Sequence, residues 1–190
     1  MRQAVKANYA QMIQDCQGVW WKRLLPVQAP YRWNLRRLKL GRTLDVGCGL
    51  GRNLAHLDGV GIDPEKECVR IARSRGLSVF EPHEFTEKPE SFDSLLIAHV
   101  LEHLPPAAAL DLVREYVPYV RRGGRVVMIT PQEWNFRSCP THINFADFTQ
   151  LARIATDLGL SIEKKYSFPF PRWAANIFKY NEFVVVARKP

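Results

Sequence analysis

Leu44-Asp45-Val46-Gly47-Cys48-Gly49-Leu50-Gly51 decides the fold of this chain. A short apolar run over 43–46 gives way to glycine at every second position, which predicts a strand entering a tight turn that opens a helix. Glycine lets the backbone turn sharply and approach a ligand where a side chain would block it. The pattern is G-x-G-x-G with Asp45 two residues ahead, whereas the dinucleotide fingerprint is G-x-G-x-x-G. An acid at that place repels a pyrophosphate and attracts an amino group, as on a methionine moiety. Twelve residues past Gly51, Asp63 ends the next apolar run and is placed to accept hydrogen bonds from ribose hydroxyls.

Outward from this loop, short apolar runs alternate with helical patterns, the signature of βαβ units and a largely parallel sheet. Strands are predicted at 43–46, 60–62, 77–80, 94–98, 125–130, 161–166 and 183–187. Helices are predicted at 65–75 behind Pro64, at 107–120 with Pro118 kinking or ending it, and at 147–158 with Gly159 as its stop. No convincing helix joins the last two strands, so the final strand is expected to be antiparallel. The fold class is therefore α/β: a doubly wound, seven-stranded sheet, mostly parallel, with an antiparallel last strand and an N-terminal helical extension. Residues 1–190 read as one domain, with 1–40 a basic, aromatic lead-in or lid and 41–190 the core.

The net charge of +8 is unevenly placed. Residues 1–42 hold nine Lys/Arg against Asp15 alone, 9 − 1 = +8, and the remaining 18 basic and 18 acidic side chains cancel. Such a segment attracts an anionic substrate, nucleic acid or membrane face, or serves only as a solvated helix surface. Val5, Tyr9, Met12 and Cys16 recur at helical spacing, and Val19-Trp20-Trp21-Lys22-Arg23-Leu24-Leu25 has the content of an interfacial anchor. No apolar run approaches the ~20 residues of a membrane span. The four cysteines are scattered and no signal-peptide pattern opens the chain, which suits a reducing cytoplasm.

Taken together, LDVGCGLGRNL (44–54), GVGID (59–63), SFDSLLIAHVLEHL (91–104) and GGRVVMITP (123–131) resemble the class I S-adenosylmethionine (SAM)-dependent methyltransferases, of the ubiquinone/menaquinone-biosynthesis type. The resemblance covers about residues 41–190. It implies SAM as cofactor, with Asp45, Gly47, Cys48, Gly49 and Gly51 at its methionine end, Asp63 on the ribose and Pro64 packed on the adenine. For the adenine edge that family offers an acid followed by a backbone N–H. Glu81 is followed by Pro82, which has none to give, so Glu84 and Phe85 are the expected pair.

Beyond the fourth strand, His99, Glu102 and His103 face the cleft, and His142 converges on it from the segment after the fifth. One reading makes a histidine the general base for an acceptor hydroxyl, with His99 also bordering the cofactor. Another makes His99, Glu102, His103 and His142 a divalent-metal set, as E-x-x-E-H with a later histidine is in quinone-biosynthesis O-methyltransferases and small-RNA 3′-terminal 2′-O-methyltransferases. Here His99 replaces the first acid, which shifts the donors toward nitrogen and away from magnesium. A third gives these residues packing or capping roles only. The expectation is acid/base or positioning roles, no metal, and O-directed methyl transfer to a small-molecule acceptor, an anionic one where the basic lead-in serves to attract it. RNA 2′-O-methyl transfer and a membrane-peripheral enzyme acting on a lipid-linked acceptor are the alternatives.

Overall fold

The computed structural model describes residues 28–190; the helix expected over 5–16 and the run at 19–25 lie outside them. Seven strands form one sheet: β1 (Thr43–Val46), β2 (Gly59–Ile62), β3 (Val79–Phe80), β4 (Phe92–Ala98), β5 (Val120–Pro131), β6 (Ser161–Phe168) and β7 (Glu182–Arg188), in the order β3-β2-β1-β4-β5-β7-β6. β1 to β5 pair in parallel, and β7 runs antiparallel to both β5 and β6. The predicted sheet, with its antiparallel last strand, is present.

Period-two alternation sorts the strand residues onto two faces. Leu95, Ile97, Val126, Met128, Val185 and Ala187 meet one layer, built by α3 (Pro106–Tyr116) and α5 (Phe148–Asp157). Leu96, Val127, Ile129, Val184 and Val186 meet Leu35 of α1 (Ala29–Arg37) and Leu38 just after it on the other. Each such leucine or isoleucine withdrawn from water contributes about 1.5–3 kcal/mol. α2 (Lys66–Ser74) packs Val69 and Ala72 on Cys48, Leu54 and Val79, beside the glycine loop. Asp147 caps α5 by accepting from the N–H groups of Thr149 and Gln150 at 2.9 and 3.0 Å, and Gly159 follows at φ +68°.

Three expectations need correction. No α-helix follows the glycine loop: the seven residues between Gly51 and Gly59 hold only the 3-10 turn Leu54–His56, because the chain must already re-enter the sheet at Gly59. The helix expected to reach 120 stops at Tyr116, ahead of a 3-10 turn (Val117–Tyr119) containing Pro118. β5 then begins at Val120, five residues early, because Val120 pairs with Phe92 before a register shift and Gly123 donates to the Lys189 carbonyl. Among the described residues no helix is long and apolar enough to cross a membrane.

Candidate active site at the carboxyl ends of the strands

The C-terminal ends of β1, β2, β4 and β5 open on one side of the sheet, where ligands of open α/β folds bind. At the end of β1, Gly47 and Cys48 donate their N–H groups to the Ile62 carbonyl at 2.8 and 3.1 Å, which ties the loop to β2. Gly47, Gly49 and Gly51 all have positive φ (+73°, +54° and +76°), but for different reasons. A Cβ at Gly47 would lie 2.3 Å from Val100 Cγ2, and one at Gly51 2.2 Å from Leu77 Cδ1. At Gly49 a Cβ would meet nothing within 4 Å: its missing side chain leaves open space in the cleft.

Asp45 and Asp63 flank that space, each almost wholly buried. The Asp45 Oδ2 has no hydrogen-bond partner, and burial pushes its carboxyl up to about 7 against the opposing charge of Arg52. Asp63 Oδ2 accepts from Gly49 N at 2.7 Å and Oδ1 from Glu65 N at 3.0 Å. Burial raises its pKa while these two backbone donors oppose the rise. The structure thus brings two expected binding residues into direct contact, and each carboxylate oxygen of Asp63 retains a lone pair for a further donor. An orphaned anion, an open glycine cradle and a second fixed carboxylate fit the ammonium and ribose ends of SAM. Cys48 packs away from the cleft among Leu54, Val69 and Val79, and Pro64 lies exposed beside Asp63.

Glu84 and Phe85 do not present the expected acid and N–H. Glu84 Oε2 accepts from Glu81 N at 3.0 Å and pairs with Arg73 at 2.5 Å. The Phe85 N–H is given to the Pro82 carbonyl, and its ring packs on Phe92, Tyr116 and Tyr119. The 3-10 turn Pro82–Glu84 is the cause, since it turns both groups onto the protein itself.

His99 ends β4 at φ +60°, a strained value for a residue with a Cβ. Its Nε2 sits 2.8 Å from Glu182 Oε1, and its Nδ1 3.4 Å from Glu102 Oε1 but not in line for a hydrogen bond. Burial disfavours the imidazolium, yet the carboxylates of Glu102 and Glu182 outweigh it and raise the pKa to about 10. At neutral pH His99 is a cation between two anions, with no lone pair for a proton or a metal. The two carboxylates thus favour the protonated ring over the free base.

Glu102, in the 3-10 turn Leu101–His103, is fully buried, and neither of its carboxylate oxygens has a hydrogen-bond partner. Its backbone carbonyl accepts from Ile143 N at 2.9 Å and Asn144 N at 3.1 Å, which draws the segment after β5 onto the turn. His103 Nδ1 lies 3.1 Å from the Thr141 carbonyl, and His142 Nδ1 3.1 Å from the Phe136 carbonyl. Carbonyl oxygens only accept, so both rings carry their proton on Nδ1 and expose the Nε2 lone pair. Burial, chiefly, lowers the pKa of His142 and keeps it neutral. Donor atoms of Glu102, His103 and His142 all lie within 4.8 Å of one another.

Sequence reasoning missed two residues here, Glu182 and Arg52. Glu182 lies 83 positions from His99 and announces itself by no local pattern. Arg52 directly follows Gly51, and its charge acts on both Asp45 and Tyr31. Tyr31, in the first turn of α1, donates its hydroxyl to the Tyr180 carbonyl at 2.7 Å and closes α1 onto the β6–β7 connection. Behind that connection lies a buried amide pair. Gln132 Nε2 donates to Ser167 Oγ and the Glu182 carbonyl, while Asn181 Nδ2 donates to Gln132 Oε1 and Asn181 Oδ1 accepts from Phe170 N.

Comparison with known proteins agrees with this geometry. A family model described as a methyltransferase domain matches residues 21–165. A ubiquinone biosynthesis O-methyltransferase of Xylella fastidiosa is 28% identical over 182 residues, covering 79% of this chain and 73% of that protein. An uncharacterized protein of Methanocaldococcus jannaschii is 31% identical over 96 residues, and the match spans 49% of this chain and 46% of that one. Among solved structures, a SAM-dependent methyltransferase of Archaeoglobus fulgidus shares the fold at a TM-score of 0.64 and 17% identity, over 84% of this chain and 93% of that one. The family match spans most of the chain, and the chain belongs to the class I SAM-dependent methyltransferases.

Proposed function

We propose that this methyltransferase acts on a hydroxyl of a small acceptor and that Glu102, His103 and His142 bind a divalent cation beside it. One observation carries the reading: a fully buried carboxylate with no hydrogen-bond partner clusters with two imidazoles, one ligand atom of each of the three residues lying within 4.8 Å of the others. His99, 3.4 Å away, offsets part of the cost of burying that anion without a hydrogen bond, and a cation at these three donors offsets more of it. Three protein ligands with positions left open is the arrangement of a catalytic site, and two nitrogens with one carboxylate favour a zinc- or manganese-like ion over magnesium. Such an ion supplies Lewis acidity, lowering the pKa of a hydroxyl close by. The name of the Xylella relative, an O-methyltransferase, supports oxygen as the acceptor atom.

SAM, when bound, supplies an electrophilic methyl group on a sulfonium. In this reading the backbone of Gly47, Gly49 and Gly51 cradles its methionine end, Asp45 takes the ammonium and Arg52 the carboxylate. Asp63 accepts from the ribose and Pro64 borders the adenine. His99, fixed by Glu102 and Glu182, is a positioning group that holds the end of β4 in place. Residues 41–190 form the catalytic core, and the lead-in 1–40 joins it through α1, whose Leu35 packs on the sheet and whose Tyr31 bonds to Tyr180. Since transfer is an in-line displacement, orientation supplies much of the rate.

Calorimetric titration of S-adenosylhomocysteine, followed by Mn²⁺ or Zn²⁺ into the saturated complex, tests both halves. Cofactor binding should fall at least about tenfold in Asp63→Ala, the loss of a buried charged hydrogen-bonding partner. The metal heat should vanish in Glu102→Gln and His142→Ala. Absent cofactor binding would overturn the assignment of the cradle, and a wild type without metal heat would overturn the cation.

A further inference from the structure

We propose that the rim of the active-site mouth is a docking surface for an anionic lipid bilayer. The described residues leave eight large apolar side chains exposed, and seven of them lie in two adjoining connections, β5–α5 and β6–β7. An ion pair between Arg172 and Glu133, the latter on the short helix α4 (Glu133–Arg137), clips the two connections together. The patch is therefore one surface and not scattered single residues.

The 3-10 turn Arg172–Asn176 and the residue after it are built with the small residues inside and the large ones outside. Ala174 and Ala175 are buried, whereas Trp173 is 71% exposed and Ile177, four positions on, 68% exposed. Core packing would place those side chains the other way round. From the neighbouring connection Trp134 and Ile143 add 46% and 63% exposed surfaces.

The charge on this rim has one sign. Across 132–146 and 169–181 the acid is Glu133 alone, already neutralised by Arg172, while the cations Arg137 and Lys179 have no ion-pair partner among the described residues. Protruding indole and aliphatic groups flanked by unpaired cations match the headgroup layer of an anionic membrane, where tryptophan sits at the interface and Lys/Arg meet phosphate. Exposed isoleucines have no counterpart in a nucleic-acid groove, so the same charges do not favour nucleic acid as the occupant. Because β4 and β5 end at this rim, a docked chain would face its mouth to the bilayer and take acceptors bearing a lipid tail. That consequence rests on the proposed function; the docking itself does not.

The experiment is flotation of the full chain with phosphatidylcholine vesicles and with vesicles containing one quarter phosphatidylglycerol, at low and high salt. Wild type should float with the anionic vesicles, and salt should weaken the association. Trp173→Ser/Ile177→Ser should lower partitioning at least about tenfold. Arg137→Glu/Lys179→Glu should abolish the preference for phosphatidylglycerol, at about fivefold per charge. Thermal melting and S-adenosylhomocysteine binding, unchanged in both variants, would show that fold and cofactor site are intact. The proposal is overturned if wild type stays with the unbound protein, if either variant floats as wild type does, or if sedimentation shows the apolar pair holding two copies of the chain together. A chain that binds S-adenosylhomocysteine but not vesicles would keep the proposed function and lose the docking surface.

Discussion

Raising the pH from neutrality should remove stability through one side chain, His99. Its imidazolium lies 2.8 Å from the Glu182 carboxylate and 3.4 Å from that of Glu102, and its pKa stands at about 10 against an ordinary 6.5. The fold therefore binds this proton more tightly than the unfolded chain does. That contribution is complete below pH 6.5, declines as pH rises, and is gone above 10. Inside the window the slope is at most about 1.4 kcal/mol per pH unit, so pH 7 to 9 removes about 2–3 kcal/mol. For a chain of this size that lowers Tm by about 5–10 °C. His99→Gln keeps a hydrogen-bonding side chain without the charge and should lose the slope. It should also cost about 3–5 kcal/mol at pH 7, because two buried carboxylates then lack their cation, and lowering the pH should relieve that cost. Urea denaturation at pH 7, 8 and 9 with chelator present measures both. A wild type equally stable at pH 7 and 9, or a variant that falls as steeply as wild type, would refute the ion triad.

Three further outcomes follow from the cradle and its walls. Gly49→Ala should cost only about 1–2 kcal/mol in a melt, the strain of a positive φ with open space around it, yet weaken S-adenosylhomocysteine at least about tenfold. Gly47→Ala, which meets Val100 at 2.3 Å, should cost more stability than that. Asp45→Asn should stabilise the cofactor-free chain at pH 8 by about 1–3 kcal/mol while weakening cofactor binding. The sign follows from a folded pKa near 7: the buried charge penalises folding increasingly as pH climbs from the ordinary aspartate range to 7, and asparagine removes that penalty. Asn181→Ala strips partners from Gln132 and from the Phe170 N–H, so denaturant unfolding should show a loss of about 2–3 kcal/mol.

The sheet was legible in the sequence because its causes are local. Leu95 to Ile97 and Val126 to Ile129 alternate between two covered faces, and each run is bounded by turn residues that act within a few positions. The glycine loop was legible for the same reason, and Arg52 beside Gly51 was within reach of that argument. The helix expected after the loop failed on length alone, a check that counting to Gly59 would have supplied. Glu84 and Phe85 failed differently: the turn that reorients them is made by Pro82 and by Arg73 of a preceding helix.

The role of His99 depends on an event no local pattern records. Glu182 reaches it because β7 pairs antiparallel with β5 in a register that sets Glu182 opposite Pro131. A slip of one residue would turn that carboxylate to the other face of the sheet. With Glu182 turned away, His99 would lose its closer carboxylate and part of the support for its charge. The same register thus separates the four residues that looked alike in sequence: one is locked as a cation, and three are left with free donors. Glu102 and His103 are neighbours, but His142 joins them because Ile143 and Asn144 donate to the Glu102 carbonyl. The proposed cofactor contacts sit on turns that the chain makes within a few residues. The proposed acceptor side is assembled by strand pairing across the molecule, and only the folded register brings those residues together.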